Sequence, residues 1–352
     1  MIASEYRESF LKAVSSKYES ASDAFSGEYD MVVVAASWDR RSTALTHCDD
    51  LCSERAIVLT FDSIDEEGLC SVHHQQLLDY FKPRSAFYGE INCKADDVHA
   101  TWEQLLAGIE SLRCSLERPL RILVDASTCP RYFSLGILGH GVRYGTVAEV
   151  TYAYAEGLYP EEESAISRHD LFTSGGWKAV PVPGLDGEWH PEKRLLYLVS
   201  LGFEGSKTYR LVSRAQPDRM CVLIPDPPVL DEYRERTERN NSTLLERFQV
   251  PESERIRAAA PDAIEAWHNI AKASLEDFSS ENCVGVCCGT KAHSIALALR
   301  AVTNPDMSLL YIVPDRHQVV DVRPSGSYWK YVVKDCSSLS AAAASCGGTH
   351  EE

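Results

Sequence analysis

Short apolar runs alternate with amphipathic segments through most of the chain. The first run, residues 31–36, reads MVVVAA, and unbroken runs of this kind are typical of strands in parallel sheets covered on both faces. A helix is predicted after it, as far as residue 52. Further strands are predicted at 56–61, 121–124 and 147–154, with helical segments between them. This alternation predicts a parallel α/β sheet.

The same plan restarts in the second half of the chain. Apolar runs at residues 195–200, 220–224, 283–287 and 309–313 again alternate with helical segments. A chain of 352 residues is long enough for two domains of ordinary size. Two α/β units in tandem are therefore expected.

The spacing of the residues that follow the predicted strands also repeats. The intervals are 25 and 63 residues for Ser37, Asp62 and Asp125, and 24 and 63 residues for Gly202, Asp226 and Gly289. Agreement of consecutive intervals in two halves of a chain indicates an internal repeat. The sequence thus predicts an α/β protein of two tandem Rossmann-like parallel-sheet domains related by internal duplication.

The domain boundaries follow from composition. Residues 156–192 are rich in glycine, proline and acidic residues and predict a linker or hairpin between domains at 1–155 and 193–336. Residues 337–352 are rich in alanine, serine and glycine and predict a disordered tail.

Charge and cysteine content narrow the class of protein. The net charge of −17 disfavours a protein that coats duplex nucleic acid, but a local basic pocket for a small anion is compatible with it. No apolar run reaches the roughly 18–20 residues that cross a bilayer, and no signal peptide is evident. A cytoplasmic protein without a membrane partner is expected.

The 12 cysteines are scattered, and those near histidines lack paired C-x-x-C spacing, so free thiols, no metal site and no cofactor are predicted.

Candidate binding residues lie in the loops that follow the predicted strands. In open α/β sheets, ligands bind at the carboxyl ends of strands, where helix N-termini offer N–H groups and a positive dipole end. Four such loops carry groups suited to an anion or a nucleotide. The candidates are Ser37, Arg40, Arg41, Asp125, Ser127, Arg131, Gly202, Lys207, Gly289, Thr290 and Lys291.

The Gly289-Thr290-Lys291 turn is the sharpest of these signals. Glycine lets the backbone approach a ligand, the threonine hydroxyl can bind oxygens, and lysine adds a positive charge. The turn does not match the Walker A pattern G-x-x-x-x-G-K-[ST]. A purely structural role is the alternative, in which Gly289 permits a tight turn and Thr290 caps the following helix.

Two acidic residues at strand ends are the candidates for catalysis. Asp125 and Asp226 follow predicted strands and could act as acid, base or metal ligand, or Asp125 could orient a ribose hydroxyl. No G-x-S-x-G or H-E-x-x-H motif supports a serine hydrolase or a zincin.

The second-half pattern of apolar strand, Cys288-Gly289-Thr290-Lys291 and apolar helix resembles the G-T-K turn of CRISPR-associated Rossmann-fold (CARF) sensor domains. The tandem organisation is also similar to that of uncharacterised proteins of prokaryotic defence islands. The resemblance covers about 20 residues and implies a paired Rossmann-like sensor of cyclic oligoadenylates. Such sensors usually carry an effector domain, and no nuclease signature follows Leu309 here.

Three functions remain open from the sequence. The leading one is a nucleotide- or small-anion-binding sensor or accessory protein, with a role in prokaryotic antiviral defence implied by the resemblance and a ligand expected between the two halves. The second is an enzyme acting on a phosphorylated nucleotide, hydrolase or nuclease-like. The third is a scaffold whose loops bind a protein partner.

Overall fold

The computed structural model describes residues 11–61, 68–94, 97–160, 173–274, 281–304, 306–320 and 322–337. The chain forms two compact units. Met1–Glu161 and Val319–Glu352 make up the first, and Glu162–Gln318 makes up the second. Within the described residues, none of the helices combines the length and the apolar character that spanning a bilayer requires.

Thirteen strands are found in the described residues. They are β1 (Lys12–Tyr18), β2 (Gly27–Ala35), β3 (Leu51–Phe61), β4 (Ser85–Cys93), β5 (Leu120–Asp125), β6 (Val147–Leu158), β7 (Thr173–Pro181), β8 (Arg194–Ser200), β9 (Arg219–Pro225), β10 (Arg255–Ala258), β11 (Glu281–Cys287), β12 (Met307–His317) and β13 (Arg323–Lys334).

Eight α-helices and two 3₁₀ helices connect the strands of the described chain. The α-helices are α1 (Ala21–Phe25), α2 (Leu69–Phe81), α3 (Val98–Leu116), α4 (Arg131–Tyr144), α5 (Gly205–Ala215), α6 (Asp231–Arg247), α7 (Ala263–Ser274) and α8 (Lys291–Thr303); the 3₁₀ helices are Arg40–His47 and Glu252–Glu254.

Each unit contains one mixed, mostly parallel sheet. The first has the strand order β1-β13-β6-β5-β2-β3-β4, and the second has the order β7-β12-β11-β8-β9-β10. From β13 to β4 the first sheet repeats the order of the second, with β1 added at its edge. The two Rossmann-like α/β halves predicted from the sequence are therefore present. The sheets are mixed rather than purely parallel, because β1, β7 and β13 join antiparallel to their neighbours.

Two antiparallel strands are exchanged between the two halves of the chain, β7 at the edge of the second sheet and β13 next to the edge of the first. β7 follows β6 in the sequence but pairs with β12, where Val180 lies opposite Tyr311. β13 follows β12 but pairs with β6, where Tyr331 lies opposite Tyr152. The segment 156–192, interpreted from composition as a linker or hairpin, thus supplies a strand to the second sheet. The final strand, placed by the sequence within 193–336, belongs to the first sheet, because its long-range partner decides its sheet. Of the predicted tail, residues 338–352 lie outside the described residues.

The central strands are buried because their apolar runs are covered by helices on both faces. In the first unit Val32 and Val34 belong to a core cluster that includes Phe25 of α1. In the second unit Val199 and Val222 share a cluster with Leu244 of α6. Each fully buried aliphatic or aromatic side chain of this kind stabilises the fold by about 1.5–3 kcal/mol. The eleven cysteines within the described residues are all free, as their scatter predicted.

The first loop of the chain differs locally from its prediction. Residues 40–47 form a 3₁₀ helix rather than an α-helix continuing to residue 52, and β3 already begins at Leu51. Asp39 starts the 3₁₀ helix by accepting a hydrogen bond from the Arg41 N–H, and the hydroxyl of Thr46 donates to the carbonyl of Thr43. Side-chain to backbone hydrogen bonds of this kind compete with regular α-helical geometry.

Candidate functional site

The predicted loops follow the central strands of the two sheets at the point where the strand order reverses. β2 lies between β3 and β5, and β8 lies between β9 and β11. Ligands of open α/β proteins bind at this reversal, outside the carboxyl ends of the strands. The loops after β2 and β8 occupy equivalent places in their sheets, as the repeated spacing predicted; Asp62, the strand-end acid after β3, lies outside the described residues. Each unit therefore presents one candidate edge.

Two glycines bring the loops of the second unit together. A Cβ on Gly289 would lie 2.7 Å from the carbonyl oxygen of Leu201, and one on Gly202 would overlap the carbonyl oxygen of Cys288. Ser200 bridges the same loops, since its Oγ accepts from the Gly289 N–H at 2.8 Å and donates to the Val286 carbonyl at 3.2 Å. Both glycines thus serve loop-to-loop contact in this structure; their contact with a ligand stays a prediction.

Lys207 is a buried structural cation of the second unit. It is 5% exposed, and its Nζ donates to the Thr173 carbonyl at 2.6 Å and lies 2.9 Å from Oε1 of Glu204. The same carboxylate oxygen accepts hydrogen bonds from the N–H and the hydroxyl of Thr173. Lys207 and Glu204 therefore fasten the first residue of β7 to α5. The Glu204 carboxylate balances the charge of Lys207 inside the protein, so Lys207 is a weaker candidate for binding an anionic ligand.

Arg41 has the matching position in the first unit. Its Nη2 lies 2.6 Å from Oδ2 of Asp39, its Nε lies 3.0 Å from Oδ1, and its Nη1 donates to the Ala155 carbonyl at 3.3 Å. Burial alone would lower the pKa of the Arg41 guanidinium, but the Asp39 carboxylate raises that pKa well above its ordinary value. Arg41 thus holds the loop after β2 against β6. An anionic ligand could bind Arg41 only in competition with the Asp39 carboxylate.

Asp125 and Ser127 form a buried chain of hydrogen bonds at the end of β5. Oδ1 of Asp125 accepts from the Ser127 N–H at 2.9 Å, and Oγ of Ser127 accepts from the Ala155 N–H at 2.9 Å. Asp125 is 1% exposed. These two side chains connect β5 to β6, and a ligand could reach the Asp125 carboxylate only after a local rearrangement.

The remaining candidates of the first unit differ in exposure. Ser37 is buried, and its Oγ accepts from the Asp39 N–H at 3.3 Å. Arg131 is half-buried at the first residue of α4, and Arg40 is exposed at the first residue of its 3₁₀ helix. Arg40 and Arg131 are therefore the candidate cations of this edge that solvent can reach.

Asp226 is an ion-paired residue rather than an isolated acid. It follows β9 directly, and its carboxylate lies 2.7 Å from Nη2 of Arg234 and 3.5 Å from Nε of Arg257. Asp226 is half-buried. The two arginines occupy the carboxylate oxygens that a metal ion would need.

Lys291 stands at the solvent-facing part of the second edge. It is the first residue of α8 and is half-buried; Thr290 caps the helix by accepting from the His293 N–H at 3.1 Å. His317, at the end of β12, lies within the electrostatic reach of Lys291. The pKa of His317 is lowered by desolvation of its ring and by the charges of Lys207 and Lys291, against an opposing effect of Glu204. Burial of the ring is the largest cause of this shift, and the Glu204 charge has a larger effect than either lysine taken singly.

An aromatic ring missed by the sequence interpretation completes this edge. Phe203 follows β8 and is half-buried; the guanidinium of Arg236 lies 4.4 Å from its ring centroid, and Tyr233 packs edge-on at 5.4 Å. The only local signal was an aromatic residue inside the loop that runs Leu201, Gly202, Phe203 and Glu204. His317 had no such signal, because its proximity to Lys207 and Lys291 arises from strand pairing.

His293 makes the stability of the second unit depend on pH. It is fully buried, its Nε2 donates to the Ala259 carbonyl, and burial lowers its pKa to about 4. An unfolded histidine takes up its proton near pH 6.5, so between about pH 4 and pH 6.5 unfolding is accompanied by proton uptake. The free energy of unfolding therefore decreases as the pH is lowered through this range. From pH 7 to pH 5 this group should remove about 2 kcal/mol, measured by urea unfolding.

His293→Gln should lose this part of the pH dependence, because glutamine keeps an N–H donor but does not titrate in this range. His47→Gln is the matched control, since His47 is exposed at the end of its 3₁₀ helix. Equal pH dependence of unfolding in wild type and His293→Gln would show that this histidine is not the source.

No protein-family model matches the chain, and no curated protein matches it. Among solved structures, the chain is similar to a functionally unknown protein from Pseudomonas aeruginosa PAO1, with 10% identity and a TM-score of 0.24 over 90% of this chain and 98% of that one. It is also similar to the cytoplasmic domain of a prokaryotic cation chloride cotransporter, with 12% identity and a TM-score of 0.25 over 82% of this chain and 96% of that one. At these scores neither likeness bears on function.

Proposed function

We propose that the second unit binds a small phosphate-bearing ligand, of the nucleotide class, at the carboxyl edge of its sheet, and that the protein works as a sensor. The observation that carries the proposal is the position of Lys291, which is half-buried at the first residue of α8, just after β11 and beside the reversal of strand order in the second sheet. An ammonium group at a helix N-terminus attracts anions, although the protein as a whole carries a net charge of −17.

Lys291 is the group best placed to meet a phosphate. It lies in the first turn of a 13-residue helix, whose N-terminus carries roughly half a positive charge. A phosphate there would receive a charge-assisted hydrogen bond from the ammonium, and helix N–H groups would add to it. Lys207 is held by Glu204 and Thr173, so no direct contact between Lys207 and the ligand is expected.

The position of Phe203 favours a nucleotide over a bare anion as the ligand. Its half-buried ring belongs to the loop after β8, and β8 is the direct neighbour of β11, which leads to Lys291. A base stacked on an aromatic side chain gains about 1–3 kcal/mol. Arg236 behind the ring and Tyr233 at its edge keep Phe203 in one orientation, so little side-chain entropy would be lost on stacking.

The environments of Asp125 and Asp226 favour a sensor over an enzyme. A general base must reach the proton it removes, within a hydrogen bond or one water. Asp125 is 1% exposed, and Asp226 is paired with Arg234. Only the resemblance at Gly289-Thr290-Lys291 points to antiviral defence and to specificity for cyclic nucleotides.

Lys291→Ala should weaken ligand binding about tenfold or more and leave the fold intact. The loss of one charge-assisted hydrogen bond, about 1.5–3 kcal/mol, sets this size. The measurement is a thermal-shift screen of inorganic phosphate and mono-, di-, tri- and cyclic nucleotides, followed by calorimetric titration of any hit. A ligand at 100 times its Kd adds roughly 2.7 kcal/mol of stability.

Lys272→Ala is the matched control, because Lys272 is exposed in the last turn of α7 and its loss changes the net charge equally. Binding that is equal in Lys291→Ala and wild type would place the ligand elsewhere, and no response to any member of the panel would overturn the proposal. Mg²⁺-dependent breakdown of a nucleotide that Asp125→Asn abolishes would favour the enzyme instead.

A further inference from the structure

A second cluster of polar residues lies at the opposite, amino edge of the second sheet. Glu188, His190 and Asp306 each offer one ligand atom, and these atoms lie within 4.8 Å of one another. Asp306 directly precedes β12, and His190 precedes β8, so the cluster sits where these strands begin. It is therefore separate from the proposed anion site at the carboxyl edge.

The chain between β7 and β8 is held firmly against the start of β12. A Cβ on Gly187 would lie 2.5 Å from the carbonyl carbon of Met307, so only glycine allows this approach. The N–H of Leu309 donates to the Leu185 carbonyl at 2.8 Å. These contacts bring Glu188 beside Asp306, although the two residues are far apart in the sequence.

Asn282 fixes the backbone of His190. It is 2% exposed; its Oδ1 accepts from the His190 N–H at 2.9 Å, and its Nδ2 donates to the carbonyls of His190 at 2.7 Å and Lys193 at 3.2 Å. A buried amide that makes three hydrogen bonds to one segment holds that segment in a single conformation. The imidazole is therefore presented to Asp306 by a rigid backbone.

The separation of the two inner groups matches that of ligands around one metal ion. Nε2 of His190 lies 3.5 Å from Oδ1 of Asp306. A tetrahedral ion with bonds of about 2.1 Å holds its ligands about 3.4 Å apart. Oδ2 of Asp306 accepts from Lys193 at 2.8 Å, which leaves Oδ1 directed at the imidazole. Nδ1 of His190 lies 3.9 Å from Glu192, on the side where a metal-bound imidazole has its carboxylate partner.

We propose that Glu188, His190 and Asp306 bind one divalent transition-metal ion of the Zn²⁺ type, with water completing its coordination. One imidazole and two carboxylates are a donor set that such ions accept. Lys193 acts as the positioning residue for Asp306, and Glu188, which is exposed, supplies the third ligand atom from the solvent side. The site departs from the sequence prediction of no metal, and it does not depend on the proposed anion site.

Co²⁺ is the probe for this site, because it substitutes for Zn²⁺ and quenches nearby tryptophan fluorescence. Trp189 lies between two of the ligands and is 61% exposed, so it reports on binding. The titration uses full-length protein with Cys52→Ser and Cys114→Ser, which remove the two exposed thiols of the described residues. Saturable quenching at one equivalent is expected, and Trp189→Phe should abolish most of it.

Glu188→Gln and His190→Ala should each weaken Co²⁺ binding at least about tenfold, as loss of a ligand should cost no less than loss of an outer-shell partner. Glu188 is exposed, so Glu188→Gln keeps the fold even if His190→Ala does not. His47→Ala removes an exposed imidazole of the first unit and should leave the titration unchanged. If quenching lacks saturation at one equivalent, or persists unchanged in Glu188→Gln and His190→Ala, the three residues form only an ion-pair network with Lys193.

Discussion

Replacing Arg41 by methionine is expected to lower the free energy of unfolding by about 3–5 kcal/mol, because it strands a buried carboxylate without its partner. Asp39 is 8% exposed and Arg41 is 5% exposed, so water cannot solvate the remaining charge. The variant also loses the hydrogen bond to the Ala155 carbonyl, which ties the loop after β2 to β6. Urea unfolding followed by circular dichroism measures the change.

Two further variants separate charge burial from a general loss of packing. Arg40→Met changes the exposed neighbouring arginine and should stay within about 0.5 kcal/mol of wild type. Asp39→Asn combined with Arg41→Met should recover most of the stability, since no uncompensated charge is then buried, and the new amide oxygen can still accept from the backbone N–H two residues later. An Arg41→Met variant as stable as wild type would contradict the structural role. Loss of nucleotide binding without loss of stability would restore the ligand role predicted from the sequence.

Gly205→Ala should destabilise the second unit by about 3 kcal/mol, the upper end of the range for overpacking. A Cβ at this position would overlap the carbonyl oxygen of Asn240, which belongs to the backbone of α6 and cannot rotate away. Either α5 or α6 must shift. Because α5 carries Lys207, the shift would also strain the contact between Lys207 and Thr173. Thermal and urea unfolding of the variant test this expectation.

Gly108→Ala adds the same methyl group, but the expected change in stability has the opposite sign. Gly108 lies inside α3, where a Cβ would meet Cδ1 of Ile57 at an ordinary 3.6 Å. Alanine is favoured over glycine in a helix interior by about 0.5–1 kcal/mol, so this variant should be more stable than wild type. The close-packing interpretation of Gly205 fails if the two variants shift stability in the same direction.

The candidate site was predictable in position but not in the roles of its residues. The loops after β2, β5, β8 and β11 were found from strand ends and spacing. The basic residues Arg41 and Lys207 were interpreted as ligand groups, whereas the structure pairs each with an acid two or three residues earlier. That pairing had a local signal in Asp39 and Glu204. The hydrogen bonds from Arg41 to the Ala155 carbonyl and from Lys207 to the Thr173 carbonyl had no local signal, because these carbonyls come from strands distant in the sequence.

The sequence by itself determined the α/β class, the two tandem halves and the central strands. Each of these depends on local periodicity: an unbroken apolar run such as residues 31–36 can be satisfied only between two covering layers. Short-range hydrogen bonds, such as the one by which Thr290 caps α8, also follow from neighbours in the chain. Such features need no knowledge of distant residues.

Only the tertiary structure decided which sheet each of the two exchanged strands, β7 and β13, joins. β6 and β12 occupy the same position in their sheets, and each presents a row of N–H and C=O groups that an antiparallel strand can pair with. Either β7 or β13 satisfies these groups equally by its backbone, so local sequence does not distinguish a hairpin from an exchange. The grouping of Glu188 and His190 with Asp306 has the same origin, since contacts between segments distant in the chain are set by packing, which periodicity and propensity do not encode.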